Sequence, residues 1–81
     1  MTIIDATGLN CPMPVLRLQA ALRDCPAQSH LTLHATDPMA QIDVPHFAGQ
    51  HGHVIVAARQ HEGAGPGGAD LYIFEIEKAA D

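Results

Sequence analysis

Hydrophobic residues recur at helical spacing directly after the first cysteine. They fall every three or four positions, at Val15, Leu18, Ala21, Leu22 and Cys25. This period places them on one face of a helix. We therefore predict a helix from about Pro12 to Asp24, which Pro26 ends. Proline is tolerated in a first helical turn because its missing N–H would have no intrahelical partner there.

A second segment, Met39–Gln50, also carries apolar residues at roughly helical spacing, at Ile42, Val44, Phe47 and Ala48. Pro45 interrupts this segment, so the pattern predicts a turn that becomes a short helix. Asp43 is the expected N-cap, because an aspartate side chain accepts hydrogen bonds from the free N–H groups of a helix start. Gly49 and Gly52 are expected to end the helix.

Extended segments surround these two helices. Ile3 and Ile4 begin a short one that reaches a turn at Gly8, and residues His30–Thr36 alternate between apolar and polar. Two further segments are rich in β-branched and aromatic residues, at His53–His61 and Asp70–Lys78. These compositions are typical of strands. The glycine-rich stretch 63–68 is expected to be an irregular tip between the last two strands.

The predicted element order is β-α-β-α-β-β within a single domain of residues 1–81. This order favours an α+β two-layer sandwich, in which a four-stranded mixed sheet carries two helices on one face. The first β-α-β unit is expected to be parallel. We expect one face of the last strand to meet the helices through Tyr72, Phe74 and Ile76. The opposite sheet face is left open to solvent or a partner, with Ile55, Ala57, Leu71 and Ile73 expected to point outward.

Composition narrows the possible functions. The chain has 81 residues, four Lys and Arg against nine Asp and Glu, and a net charge of −5. Because nucleic-acid binding depends on basic side chains that neutralise phosphates, we expect no direct contact with DNA or RNA. The longest apolar run, Val54–Ala58, is far shorter than the roughly 20 residues that span a bilayer. The N-terminus has no signal-peptide pattern, so the expected location is the cytoplasm, with no membrane contact.

Cys11 stands directly before the first predicted helix. The free N–H groups and peptide dipoles of a helix start favour negative charge. We therefore expect a modest lowering of the Cys11 pKa, limited because Pro12 and Pro14 stiffen this turn but remove N–H donors. By position alone, Cys11 is equally consistent with a nucleophile and with a small core residue. Cys25 continues the apolar helix face and is expected to be structural. A helix between the two cysteines would place them roughly 20 Å apart, which is too far for a disulfide.

The segment around Cys11 carries a wider signature. Residues 5–16 read DATGLNCPMPVL, an extended segment, a D-x-x-G-L-x turn and then C-P-x-P at a helix start. Asp37-Pro38 and Asp43-Val44-Pro45 continue the pattern later in the chain. Together these features resemble the TusA/SirA sulfur-carrier family, and the resemblance covers essentially the whole chain.

The resemblance implies a shuttle for sulfur. Cys11 would accept a sulfane sulfur as a persulfide from a cysteine desulfurase or rhodanese-type donor and pass it to an acceptor protein. Pro12, Pro14 and Gly8 would support the thiol, with no cofactor. Candidate partner-binding residues are Arg17, Arg23, Asp37 and Asp43. For the two aspartates, a turn initiator and a helix cap are the competing interpretations. For the two arginines, the competing interpretation is a helix face that simply meets solvent. Dissimilatory sulfur oxidation and biosynthetic thiolation, such as that of tRNA 2-thiouridine, both remain open.

Other functions compete with this hypothesis. The six histidines include the pair His51 and His53, but their spacing matches no established metal motif, and we expect no metal site. The alternative function is a non-catalytic interaction or regulatory module that docks through its open sheet face. A thiol-redox protein is a third class, disfavoured because no second cysteine can reach Cys11.

Overall fold

The computed structural model describes residues 2–79 and has the predicted order of elements. The strands and helices are β1 (Thr2–Ala6), α1 (Met13–Asp24), β2 (His30–Ala35), α2 (Ala40–Gln50), β3 (Val54–His61) and β4 (Leu71–Glu77). Within residues 2–79, neither helix combines the length and apolar character that a membrane crossing needs.

The four strands form one mixed sheet in the order β1-β2-β4-β3. β1 and β2 are parallel, as predicted for a β-α-β unit, and β4 is antiparallel to both of its neighbours. The helices contact each other and together cover β1 to β4. The structure is therefore the predicted α+β two-layer sandwich. Because β1 and β2 run in the same direction, the chain leaves both strands at the same edge of the sheet.

The core lies between this sheet and the two helices. On β4, Tyr72, Phe74 and Ile76 are buried, as the sequence predicts, and they pack with Leu18 of α1 and Val44 of α2. The fully buried line along α1 consists of Pro14, Leu18 and Leu22. Leu18 and Leu22 belong to the predicted apolar face, whereas Pro14 lies one residue before the predicted Val15. Val15, Ala21 and Cys25 flank this line and are half-buried.

The outward sheet face differs from the prediction at β3. Ile55 pairs with buried Ile76 and packs against the core, whereas Ala57 pairs with Glu75 on the outer face. A bulge between Ile55 and Ala57 accounts for this difference. It inserts one extra residue, Val56, and an inserted residue breaks the strict in–out alternation of a strand. The predicted outward position of Ile55 is therefore wrong.

The second helix also departs from its prediction. It begins at Ala40, with Met39 in the N-cap position, so Asp43 lies in the first turn and is not the N-cap. Pro45 lies inside the helix without ending it. Its missing N–H leaves only the carbonyl of Gln41 without an intrahelical partner, and Gln41 is exposed. The burial of Val44 and Phe47 on either side of Pro45 favours a continuous helix.

The remaining boundaries shift by one or two residues. α1 begins at Met13, after Pro12 in the N-cap position. The glycine-rich tip contains one 3₁₀ turn at Pro66–Gly68, so it is not wholly irregular as predicted. Gly67 takes a positive φ of 68° inside this turn, a conformation that glycine adopts without steric cost.

The helix–sheet contact predicts a contrast between two leucines of α1. Leu18 is fully buried, whereas the side chain of Leu16 is 46% exposed. We expect Leu18→Ala to lower the free energy of unfolding by about 2–5 kcal/mol because it leaves a core cavity. Leu16→Ala should cost less than about 1 kcal/mol. Urea unfolding followed by circular dichroism measures both values, and equal losses would contradict this description of the core.

Candidate functional site

The turn between β1 and α1 brings Cys11 to the edge of the sheet. Gly8 has a φ of +79°, a left-handed conformation that L side chains rarely adopt. Its N–H donates to the Thr36 hydroxyl, 2.9 Å away, just after β2. Asp5 accepts hydrogen bonds from the backbone N–H and the hydroxyl of Thr7. These contacts fix the turn that leads into the cysteine.

Asp37 holds the backbone of the cysteine in place. Its Oδ2 accepts a hydrogen bond from the Cys11 N–H at 2.7 Å, and its Oδ1 accepts one from the Met39 N–H at 3.0 Å. Both hydrogen bonds hold the pKa of the Asp37 carboxyl below its ordinary value, with the bond from Cys11 as the larger cause. One carboxylate thus joins the start of α1 to the loop before α2.

Asp43 holds the side chain of the same cysteine. The Cys11 Sγ–H donates to Oδ2 of Asp43 across 2.6 Å. Asp43 reaches the thiol because it lies in the first turn of α2, which packs beside α1. The two aspartates that resemble the family pattern therefore both contact Cys11, one at its backbone and one at its sulfur.

The electrostatic environment of the thiol is opposite to the predicted one. The pKa of Cys11 is raised, mainly by the hydrogen bond to Asp43, then by partial desolvation, then by the negative charges of Asp43 and Asp37. A carboxylate beside a thiol disfavours the thiolate because two negative charges would then be adjacent. The predicted lowering of the Cys11 pKa by the helix start is therefore wrong, and the surroundings favour the protonated thiol.

The thiol lies in an open cleft between the two helices. This cleft has a volume of about 260 Å³ and is lined by Cys11, Pro12, Val15, Asp43, His46, Phe47 and Gln50. Cys11 is exposed, and a macromolecule can reach its sulfur without any opening of the fold. His46 follows Asp43 by one helical turn, so α2 supplies both titratable side chains of the cleft wall.

The residues predicted to support the thiol or to bind partners do not all lie at the cysteine cleft. Pro12 lines the cleft, whereas Pro14 is buried and anchors the first turn of α1 in the core. Gly8 lies in the turn before Cys11. Arg17 is exposed on α1 and is close enough to Asp5 to lower the pKa of that carboxyl slightly, after the larger effect of the hydrogen bonds from Thr7. Neither Pro14 nor Arg17 lines the cysteine cleft.

Arg23 lies in the last turn of α1, away from Cys11, in a second cleft. Its lining is Gln19, Leu22, Arg23, Phe47, His51, His53 and Lys78, with a volume of about 300 Å³. The rings of His51 and His53 stack at 6.3 Å. The pKa of His53 is lowered, first by desolvation and then by the positive charges of His51 and Lys78. The structure therefore separates Arg23 from the thiol, although Phe47 lines both clefts.

The surroundings of Cys25 are those of a structural residue. It is half-buried, packs against the core, and its Sγ–H donates to the Leu22 carbonyl across 3.5 Å. Both cysteines are free thiols. Within residues 2–79, no three His, Cys, Asp or Glu side chains come together as ligands for a metal ion.

Sequence reasoning missed the direct contact between Asp43 and the sulfur. The interpretation of Asp43 as a helix cap came from α2 taken alone, whereas the contact joins residues 32 positions apart. His46 and Gln50 of the cleft were not identified either. Their spacing after Asp43, three and seven residues, is the available signal, because it places all three on one face of a helix.

The fold and the site define a class: small α+β proteins with an exposed cysteine at the start of a helix. The profile of the family described as Sulfurtransferase TusA matches residues 2–78. The chain belongs to this family. Two relatives, both named Sulfur carrier protein TusA, come from Pseudomonas putida (strain W619) and Pseudomonas aeruginosa (strain UCBPP-PA14). They are 42% and 43% identical over 79 residues, with 98% of this chain and 90% and 91% of their own lengths aligned.

A solved structure has a similar fold. The SirA-like protein from Desulfitobacterium hafniense aligns with a TM-score of 0.64 and 24% sequence identity. The alignment covers 93% of this chain and 96% of that protein. At this identity the comparison supports the arrangement of strands and helices alone. It agrees with the two-layer sandwich described above.

The turn before Cys11 predicts a difference between two glycines. Gly8→Ala should lower the free energy of unfolding by about 1–2 kcal/mol, because alanine resists a left-handed backbone. Gly49→Ala is the matched control: Gly49 lies in α2, and a Cβ there meets no atom within 4 Å. It should be neutral or stabilise by about 0.5–1 kcal/mol. Urea unfolding compares the two, and an equal effect of both would contradict the role given to Gly8.

The hydrogen bond to Asp43 predicts the pH profile of cysteine alkylation. Asp43→Asn removes the negative charge that raises the Cys11 pKa, so the thiolate should form at lower pH. At about pH 7, iodoacetamide should then modify Cys11 several times faster than in the wild type, because the thiolate is the nucleophile. Mass spectrometry of timed samples gives the rate at each pH.

Asp24→Asn is the control for this experiment, because Asp24 is exposed at the far end of α1. Its alkylation profile should match that of the wild type. An Asp43→Asn profile that stays at the wild-type pH, or moves to higher pH, would contradict the electrostatic account of the thiol.

Proposed function

We propose that this chain is a sulfur-carrier protein that accepts sulfane sulfur as a persulfide on Cys11 and relays it to a partner protein. The observation that carries the proposal is the exposed thiol of Cys11 in an open cleft at the start of α1. The family supports it, because the two Pseudomonas relatives are named sulfur carriers. The open cleft is consistent with a substrate that arrives on another protein.

Loading exchanges one sulfur between two cysteines. The Cys11 sulfur, after loss of its proton, attacks the outer sulfur of a donor persulfide, and a new S–S bond forms. The donor S–S bond breaks, and its electron pair stays on the donor cysteine, which takes up a proton. Cys11 is oxidised to a persulfide while the donor persulfide is reduced to a thiol, so no other oxidant is required. Unloading is the same exchange with an acceptor thiol.

The surroundings of Cys11 suit this repeated exchange. Pro12 and Pro14 restrict the backbone after the cysteine, Gly8 allows the left-handed turn before it, and Asp37 holds the cysteine N–H. A rigid support presents the sulfur in one position to successive partners, which lowers the entropic cost of reaching a reactive geometry. In this proposal Cys11 is the reacting residue, and Gly8, Pro12 and Pro14 are supporting residues.

The donor that we propose is a cysteine desulfurase or a rhodanese-type protein, and the acceptor is a downstream protein with a reactive cysteine. Arg17 and Arg23 are exposed on α1 and offer positive charge to such partners, while Asp37 and Asp43 lie beside the thiol. Sulfur oxidation and biosynthetic thiolation are both consistent with this scheme. We further propose that this chain is a single domain that works in the cytoplasm.

The proposal predicts a specific covalent change. Incubation with glutathione persulfide should add the mass of one sulfur atom to Cys11, located by intact and peptide mass spectrometry. Cys11→Ser should gain no sulfur because it lacks the attacking thiol. Cys25→Ser is the matched control and should load like the wild type, since Cys25 is half-buried and bonded to Leu22.

Two results would contradict the proposal. A wild-type protein that never gains sulfur on Cys11, although iodoacetamide alkylates it, would favour the alternative of a docking module. A product dominated by a disulfide-linked dimer through Cys11 would favour a thiol-redox function.

A further inference from the structure

The hydrogen bond between Cys11 and Asp43 uses the thiol proton of the empty carrier. Its donor is the proton on Sγ, and its acceptor is Oδ2 of Asp43 at 2.6 Å. Loading replaces that proton with a sulfur atom, so Sγ has nothing left to donate. Hydrogen bonds to charged groups are stronger than neutral ones. The contact therefore stabilises the unloaded thiol, whereas an ionised persulfide has no proton with which to form it.

The charges around the sulfur act in the same direction. A persulfide is more acidic than the thiol from which it forms, so its outer sulfur carries negative charge more readily. Asp37 from the loop after β2 and Asp43 from α2 already place negative charge beside Sγ. Like charges at close distance repel, although solvent weakens the repulsion at an exposed site.

Among the other side chains that line the cleft, His46 on α2 is the one that can carry a positive charge. α1 and the residue before it contribute Pro12 and Val15, which carry no charge. Neither ion pair among the described residues, His30–Glu77 or Arg59–Glu75, involves Asp37 or Asp43.

From this geometry we infer that Asp43 biases the carrier towards its empty state, so that Cys11 gives up sulfur more readily than an ordinary cysteine. The inference rests on the proposed sulfur-carrier function and assigns Asp43 a role in the direction of transfer. The affected equilibrium is exchange with a small thiol. The loaded carrier and glutathione form the empty carrier and glutathione persulfide, with one S–S bond broken and one formed.

The test measures this equilibrium directly. Wild type and Asp43→Asn are each mixed with glutathione and glutathione persulfide at a fixed ratio, at about pH 7. After acid quenching, intact-mass spectrometry gives the ratio of loaded to empty protein. Loss of one charge-assisted hydrogen bond should raise this ratio about three- to tenfold in the variant. Asp24→Asn should leave the ratio at the wild-type value.

A second variant separates the effect from unfolding. Asp43→Ser also removes the charge and should shift the ratio in the same direction, and circular dichroism checks that each variant keeps the native fold. A folded Asp43→Asn or Asp43→Ser protein with an unchanged or lower loaded fraction would overturn the inference but leave the sulfur-carrier function intact. A wild-type protein that takes up no sulfur at any ratio would instead overturn the proposed function itself.

Discussion

Two carboxylates hold Cys11 in place. Asp37 accepts the backbone N–H of Cys11, and Asp43 accepts its thiol proton. These contacts join positions 26 and 32 residues apart in the chain. They form because β1 and β2 are parallel neighbours, so the segments that follow the two strands meet at one edge of the sheet. The position of the sulfur therefore depends on the packing of the whole β-α-β-α unit.

This arrangement combines an accessible thiol with a raised pKa. Cys11 is exposed, yet its hydrogen bond to Asp43 and the neighbouring negative charges raise its pKa, which favours the protonated form. A thiol in this form is a poor target for small electrophiles, because the thiolate is the reactive species. For a carrier, that property limits reactions away from its partners. In the proposed carrier function, Asp43 would also favour release of the bound sulfur, so one carboxylate would affect both the empty and the loaded state.

The remaining surface separates into distinct parts. The second cleft gathers Arg23 and Lys78 with two histidine rings, away from the thiol. On the opposite side of the sheet, the bulge in β3 turns Ile55 inward and leaves Val54 and Val56 about half exposed. The apolar character of that face is therefore set by an irregularity in one edge strand. Strand alternation alone would assign Ile55 to solvent.

The sequence by itself determined the order of elements, the fold class, the inward face of β4 and the position of Cys11 before a helix. These features depend on local periodicity and on residues such as Gly8 and Pro26, whose conformational preferences act within a few positions. The tertiary structure alone decided the start of α2, the bulge in β3 and the raised pKa of the Cys11 thiol. Each depends on groups distant in sequence. Burial of Val44 and Phe47 in the core favours a helix that continues through Pro45. Packing of α2 against α1 brings Asp43 to the sulfur of Cys11. The hydrogen bond from the thiol to Asp43 is the main cause of the raised Cys11 pKa, and no local pattern reveals that contact.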